Sequence, residues 1–354
     1  IDNNDNSDVY GLYSSADGYN ATANAQSSGT ATATGTIDIT NTGLGNVYGL
    51  YASSTVYNAT ANAQSSGTAT ATGTVNITNE GNGNIYGLYS SSSAYNAYAY
   101  AYYYVPAKVT TKGFININNV GDGNVYGLYA NNYTYNAYAD YFGYTAESII
   151  NIFNEGNGNV YGLYSSSSAR NAYSLSSGSS TSGSVNITNE GNSNVYGIYS
   201  DADTYNAYAS SYNSGTATAI GNIKITNNGI GDSYGLYSLS SAYNAYASSY
   251  NTATAIGTID ITNNDLGNTY GIYSSYSAYN TFEENLDSII TGTVMLKNLN
   301  NGNAYGMSAD KVYSNNKKGT NTTSVIEMVN AGNGLAVGMR ATNTVSNSGD
   351  ITIH

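Results

Sequence analysis

What most limits how this chain can fold is a short motif that returns in fixed surroundings. Tyr-Gly followed by Leu, Ile or Met begins at Tyr10, Tyr48, Tyr86, Tyr126, Tyr161, Tyr196, Tyr234, Tyr270 and Tyr305, with a degenerate tenth copy at Val337-Gly338-Met339. Successive spacings are 38, 38, 40, 35, 35, 38, 36, 35 and 32 residues, so the period is near 36. Two other positions keep a stricter register. An Asn stands seven residues before each copy from the second onward (Asn41, Asn79, Asn119, Asn154, Asn189, Asn227, Asn263, Asn298, Asn330), and another stands ten residues after every copy, from Asn20 to Asn347. All the length variation therefore falls between the second Asn and the next first Asn.

Fixed spacing marks backbone that must lie on its equivalent in the next copy, and variable spacing marks what lies outside that stack. Within the fixed part, Ile37-Asp38-Ile39-Thr40 alternates apolar and polar, the pattern of a half-buried strand. A Gly- and Asn-rich turn over 42–46 follows, then a second strand over 47–51, a Ser-rich bend and a third strand over 57–61. The variable part, 59–72 in the second copy, reads as two short strands around Ser65-Ser66-Gly67, a hairpin flap. One such unit cannot bury its apolar face alone, whereas stacked units share a continuous core. The expectation is an all-β chain: a parallel β-helix (β-solenoid) of about ten rungs, one per repeat of about 36 residues, with hairpin-like flaps. Residues 1–354 form a single repeat domain in this reading. Two rungs per repeat is the rival arrangement. One is preferred because copies in strict register stack like on like.

The tenth copy orients the second strand. There Val337, Met339 and Arg340 replace Tyr, Leu and Tyr, so positions one and three stay apolar while position four becomes charged. Tyr48 and Leu50 are thus expected to point inward and Tyr51 outward. Stacked Asn side chains at the turns are expected to hydrogen-bond along the axis, as in cross-β ladders.

Composition narrows the function. With 22 acids against 9 bases the net charge is −13, and no cluster of Lys and Arg exists to displace counterions from nucleic acid or to bind an anionic membrane. No run of about 18 apolar residues is present to span a membrane as a helix, so direct membrane insertion of this segment is not expected. Cys is absent and the only His is His354, which leaves no Ser-His-Asp or Cys-His site, no thiolate and no usual zinc ligand set. Calcium-binding solenoids place Asp in Gly-rich turns, which makes a weak ion site at the turn carboxylates Glu80, Glu155, Glu190, Asp122 and Asp232 the minor reading. Each turn brings only one or two acids among Asn residues, and solvated turn charges are the expectation. Gly43-Leu44-Gly45 sits between strands and opens no helix, so it is a turn and not a phosphate cradle. The expectation is no enzyme activity, no catalytic residue, no metal and no cofactor. A carbohydrate-active site on the solenoid and an ice-binding Thr array are the lesser alternatives; Lys108-Val109-Thr110 and Thr145-Ala146-Glu147 break the array. The chain begins at Ile1, not Met, and is expected to be an internal or processed piece of something longer.

The run from Asn343 to Ile353, Asn-Thr-Val-Ser-Asn-Ser-Gly-Asp-Ile-Thr-Ile, together with the Tyr-Gly-Leu/Ile-Tyr strands, resembles the passenger β-helices of bacterial autotransporters. The resemblance covers nearly the whole chain. It implies export through the outer membrane and display at the bacterial cell surface, outside the cell, commonly for adhesion or self-association. The residues given carry neither the family's C-terminal membrane barrel nor the protease triad of its enzymatic members.

One set of side chains stands out as a candidate binding surface: the fourth-position tyrosines Tyr13, Tyr51, Tyr89, Tyr129, Tyr164, Tyr199, Tyr237 and Tyr273. Stacked at one strand spacing and facing outward, they would form an exposed ladder of rigid apolar rings with polar tips. The same series would also serve simply to stabilise the sheet through cross-strand pairs. The expected partners are a host surface protein or glycan, or copies of the chain itself. The expected role is a surface-exposed adhesin or self-associating passenger, with a subunit of an extracellular filament, stacked end to end, as the alternative.

Overall fold

A computed structural model shows a chain built of parallel β-strands wound into a solenoid, with two sheets facing each other. It describes residues 2–3, 8–11, 13–20, 23–25, 29–49, 51–63, 67–87, 89–101, 107–136, 144–155, 159–171, 179–190, 195–206, 216–228, 233–244, 252–264, 269–270, 273–280, 289–299, 304–305, 308–313, 321–331, 336–337, 340–342 and 350–353. Among these, every strand pairing is parallel and joins a strand to its equivalent in a neighbouring copy.

The first sheet, called the Ile sheet below, contains Gly29–Asn41, Gly67–Asn79, Ala107–Asn119, Tyr144–Asn154 and the equivalent strands onward to Asp350–Ile353. Its register is strict: Ile39 pairs with Ile77, Ile77 with Ile117, Ile117 with Ile152 and Ile152 with Ile187. All five are buried, and the column continues through Ile225, Ile261, Leu296 and Met328. β-Branched side chains suit a pleated, half-buried surface, and alternation sends Thr36, Asp38 and Thr40 to the other face. The half-buried strand read from the sequence is where it was expected.

The second sheet, the Tyr sheet, contains Tyr13–Asn20, Tyr51–Ala63, Tyr89–Ala101, Val125–Asn136, Val160–Asn171 and later equivalents, preceded in several copies by two-residue strands such as Val47–Tyr48. Its inward residues are small: Ala52, Ser54 and Val56, then Ser90, Ser92 and Ala94, then Ala130, Asn132 and Thr134. Small residues let the two sheets close on each other. Ser54 Oγ donates to the carbonyl of Gly35 at 3.1 Å, and Ser167 Oγ donates to that of Ser148 at 2.8 Å. A Cβ on Gly35 would lie 3.0 Å from both Ser54 Oγ and Val56 Cγ2, so the side-chain-free position sets how near the sheets come. Where Ser148 takes that place, its hydroxyl is held by Ser167 Oγ at 2.7 Å and itself donates to the Asn132 carbonyl at 3.1 Å.

Two local expectations are corrected. The Ser-rich segment after Tyr51 is not a bend: Tyr51–Ala63 runs as one strand, because Ala52, Ser54 and Val56 fit the narrow interior at every second residue. The flap is not a hairpin. Thr60–Ala63 pairs in parallel with Tyr98–Ala101, and Gly67–Thr72 pairs in parallel with Ala107–Lys112. The two flap strands thus belong to opposite sheets and extend the stack, because pairing like with like across copies satisfies both backbones. The connecting residues 64–66 lie outside the described residues, as does much of the variable part in later copies. Tyr48 and Tyr86, one repeat apart in sequence, are Cα partners on adjacent strands, with rings 4.8 Å apart.

The turn from the Ile sheet to the Tyr sheet explains its Gly-x-Gly sequence. A Cβ on Gly81 would overlap the carbonyl oxygen of Gly43, and one on Gly83 that of Gly45. The same holds for Gly121 and Gly123 against Gly81 and Gly83. Asparagine ladders run beside this close contact. Asn84 N–H donates to Asn46 Oδ1 at 2.9 Å, Asn124 N–H to Asn84 Oδ1 at 2.8 Å and Asn159 N–H to Asn124 Oδ1 at 2.7 Å, with Asp8 accepting from Asn46 at the head. A second ladder crosses the outer face of the Ile sheet: the amides of Asn76, Asn116, Asn151 and Asn186 each donate to the preceding copy, at 2.7 to 2.9 Å, ending on Asp38. The first ladder lies at the turn, where axial Asn bonding is expected, and the second adds a row on the strands, while Asn41 and Asn119 are buried at the corner.

Candidate functional site

The outward tyrosines owe their arrangement to one backbone feature. Val47 and Ala52 are both buried, yet they stand five residues apart, an odd number that simple alternation would send to opposite faces. The missing half-step is taken up at Gly49, whose φ is 64°, in the left-handed region that favours glycine. Gly11 and Gly87 share it, with φ 64° and 66°. The ladder of backbone bonds continues through the phase change: Gly11 N–H donates to the Tyr48 carbonyl at 2.9 Å, Gly49 N–H to that of Tyr86 at 2.8 Å and Gly87 N–H to that of Tyr126 at 2.9 Å.

Because of this shift, tyrosines on both sides of the glycine face outward. The inward expectation for Tyr48 is therefore overturned: it follows buried Val47 on the strand and stacks outside the core. Leu50 lies outside the described residues. Two rails result. In the first, Tyr10, Tyr48, Tyr86 and Tyr126 stack at 4.8 Å between ring centres, within 5° of parallel. In the second, Tyr13, Tyr51, Tyr89, Tyr129, Tyr164 and Tyr199 stack at 4.7 to 4.9 Å, again within 5°. Tyr237 and Tyr273 continue the second rail in backbone register, and their side chains lie outside the described set. Sequence reasoning found the second rail and missed the first. The signal was present in the Gly that follows each first-rail Tyr, the residue able to change phase.

Each inner ring is covered on both faces by its neighbours, so what reaches solvent is ring edge and hydroxyl. Tyr10 and Tyr13, at the head of the described rails, are 71% and 65% exposed. The Tyr48 hydroxyl is raised above its ordinary pKa by desolvation, then by Asp8 and the stacked Tyr10 and Tyr86, while a hydrogen bond with Asn46 acts the other way. Desolvation also raises Tyr89 and Tyr129, each reinforced by stacked neighbours. These three hydroxyls therefore keep their protons to higher pH than an ordinary tyrosine.

Charge is distributed unequally between the outer faces. Beside the second rail, Ser53, Thr55, Ser91, Ser93, Asn131 and Ser166 are uncharged, while Asp17 stands exposed in the column of Thr55 and Asp201 follows Ser166 in backbone register. The outer face of the Ile sheet carries Asp38, Lys224, Asp260, Lys297 and Glu327, and an ion pair of 2.8 Å between Lys112 and Glu147 on adjacent strands. The turn carboxylates Glu80, Asp122, Glu155 and Glu190 are exposed, and Asp232 and His354 lie outside the described residues. Among the described residues no group of three or more His, Cys, Asp or Glu side chains is placed to hold a metal, and no helix is long and apolar enough to cross a membrane.

The fold and this surface define a parallel β-solenoid bearing an aromatic face. No family of known proteins, no curated protein and no solved structure matches the chain.

Proposed function

We propose that this is a non-enzymatic protein of the bacterial cell surface, an adhesin or self-associating passenger that works through the Tyr sheet. In this reading residues 1–354 form one solenoid of about ten rungs, one per repeat, displayed outside the cell in the manner the autotransporter resemblance implies. The observation that carries the proposal is the second rail, six stacked tyrosines whose neighbours from Ser53 to Ser166 are uncharged in a chain whose net charge is −13. Like-charged bodies approach most easily where neither presents charge. The rail also repeats with the pitch of backbone hydrogen bonding, so a partner built of β-strands keeps step with it over many copies, and weak equal contacts add through multivalency. Tyr supplies rigid contact area at low entropic cost.

The test is a variant with Tyr129, Tyr164, Tyr199 and Tyr237 changed to Ser, displayed on cells or beads. Aggregation and surface binding should be lost while circular dichroism stays that of the wild type, and any single change should alter binding little. A folded quadruple variant that still binds like the wild type removes the rail from consideration and points to the connections between sheets or to an open solenoid end.

A further inference from the structure

We infer that the two tyrosine rails and the glycine column between them form an axial groove that binds flat, cationic, conjugated aromatic molecules lengthwise. The walls are the four stacked rings from Tyr10 to Tyr126 on one side and the equivalent stretch from Tyr13 to Tyr129 on the other. Between them run Gly11, Gly49 and Gly87, all exposed. A Cβ built on Gly11 would meet nothing within 4 Å, and those on Gly49 and Gly87 would meet only the preceding glycine at 4.0 Å. The space above this backbone is open.

The chemistry of the groove selects its occupant. Stacking hides the ring faces and leaves ring edges and electron-rich hydroxyl oxygens exposed. A flat aromatic lying along the groove packs its apolar face against those edges, and the hydroxyl oxygens, not the edges, favour its positive charge. The floor asks for no polar partner, because the glycine N–H groups already donate to the carbonyls of Tyr48, Tyr86 and Tyr126. Positive charge on the ligand is favoured by the net charge of −13 and by Asp8, whose Oδ2 lies 3.4 Å from the Tyr10 hydroxyl at the head of the groove. Three ring-to-ring steps of 4.8 Å in the first rail give length enough for a rod of several fused or conjugated rings. Such a ligand makes no residue-by-residue pairing, so it needs no repeat of its own to match the rails.

The site goes beyond adhesion and is tested on the isolated chain with thioflavin T as the flat cationic probe. Binding should be saturable with a rise in dye fluorescence, and a flat dye of similar length bearing negative charge should bind at least about tenfold more weakly. The pair Tyr48→Ser with Tyr86→Ser, and separately Tyr51→Ser with Tyr89→Ser, should each weaken binding about tenfold or more. Phe114→Ser with Phe153→Ser, half-buried rings on the outer face of the Ile sheet, should leave it unchanged. Loss from one rail pair only, loss from the Phe pair, or equal binding by every variant overturns the groove. Should a rail variant fail to fold, the wild type still decides: dye-induced amide shifts should centre on Gly11, Gly49 and Gly87, and shifts centred on the Ile sheet overturn the proposal. Dye binding and cell adhesion are separate readouts, so either can fail while the other stands.

Discussion

The Ile sheet and the Tyr sheet share one stack and one register, yet their columns are chosen by opposite rules. Inside, the Ile sheet supplies bulk through Ile39, Ile77, Ile117 and Ile152, while the Tyr sheet supplies little more than methyls and hydroxyls. Outside, the order reverses: the Ile sheet shows Thr, Asn and charge, and the Tyr sheet shows its largest side chains. The difference teaches that burial and size are uncoupled here. Among the described residues the largest side chains are not the core, and most of the core's bulk comes from one sheet while the other turns its rings to the surroundings.

The sharpest way to break this comparison is Ile115→Ala. Ile115 is fully buried in the centre of the Ile sheet. The cavity should cost about 2–5 kcal/mol in denaturant unfolding, and a negligible cost would show that this sheet is not the source of cohesion. Gly81→Ala comes next: its Cβ would overlap the Gly43 carbonyl, backbone against backbone, so a loss of about 1–3 kcal/mol is expected in the same assay. A value near zero would mean that the turns are not close-packed.

Smaller effects sharpen the contrast between outer faces. The Lys112–Glu147 pair is part-exposed, so a double-mutant cycle should give about 0.2–1 kcal/mol, falling with added salt. Salt should leave the Tyr face indifferent. The smallest effect is at high pH. Tyr48, Tyr89 and Tyr129 hold folded pKa values above the ordinary 10.0, so the unfolded chain gives up these protons first. Their contribution is complete below about pH 10 and is lost as pH rises through the folded values. Melting temperature should decline in that window as tyrosinate absorbance grows, and Tyr89→Phe should make the decline shallower. An unchanged slope would separate the rail from stability altogether.

How much of this could be read from residues alone depended on whether alternation held. It holds from Gly35 to Thr40, so the core face of the Ile sheet was legible, and the fixed Asn spacings gave the parallel, copy-on-copy stacking. It fails at Gly49, where a positive φ changes phase without changing composition, and Tyr48 was consequently assigned to the wrong face. The substitution of Val337 for Tyr in the last copy reinforced that error, since an apolar replacement fits an outer rail as well as a core. The flaps illustrate a different limit. Two alternating strands joined by Ser65-Ser66 look the same whether they bond to each other or each bonds to its own copy in the next repeat. The outer-face tyrosines from Tyr51 to Tyr199 were placed correctly because Ala52, Ser54 and Val56 leave no room for them within.

The carbonyl-to-glycine contact in the turns also makes the molecule a ruler. With Gly43, Gly81 and Gly121 seated against one another, the rise between copies is pinned from below as well as drawn together by hydrogen bonds. Residues 20–36 and 58–74 are identical letter for letter, so one copy can be gained or lost between them without a seam. Each such event lengthens or shortens the rails by a single ring of 4.8 Å and leaves the face otherwise the same. Reach is thereby a countable, inheritable quantity, adjusted in whole steps while the chemistry at each step stays constant.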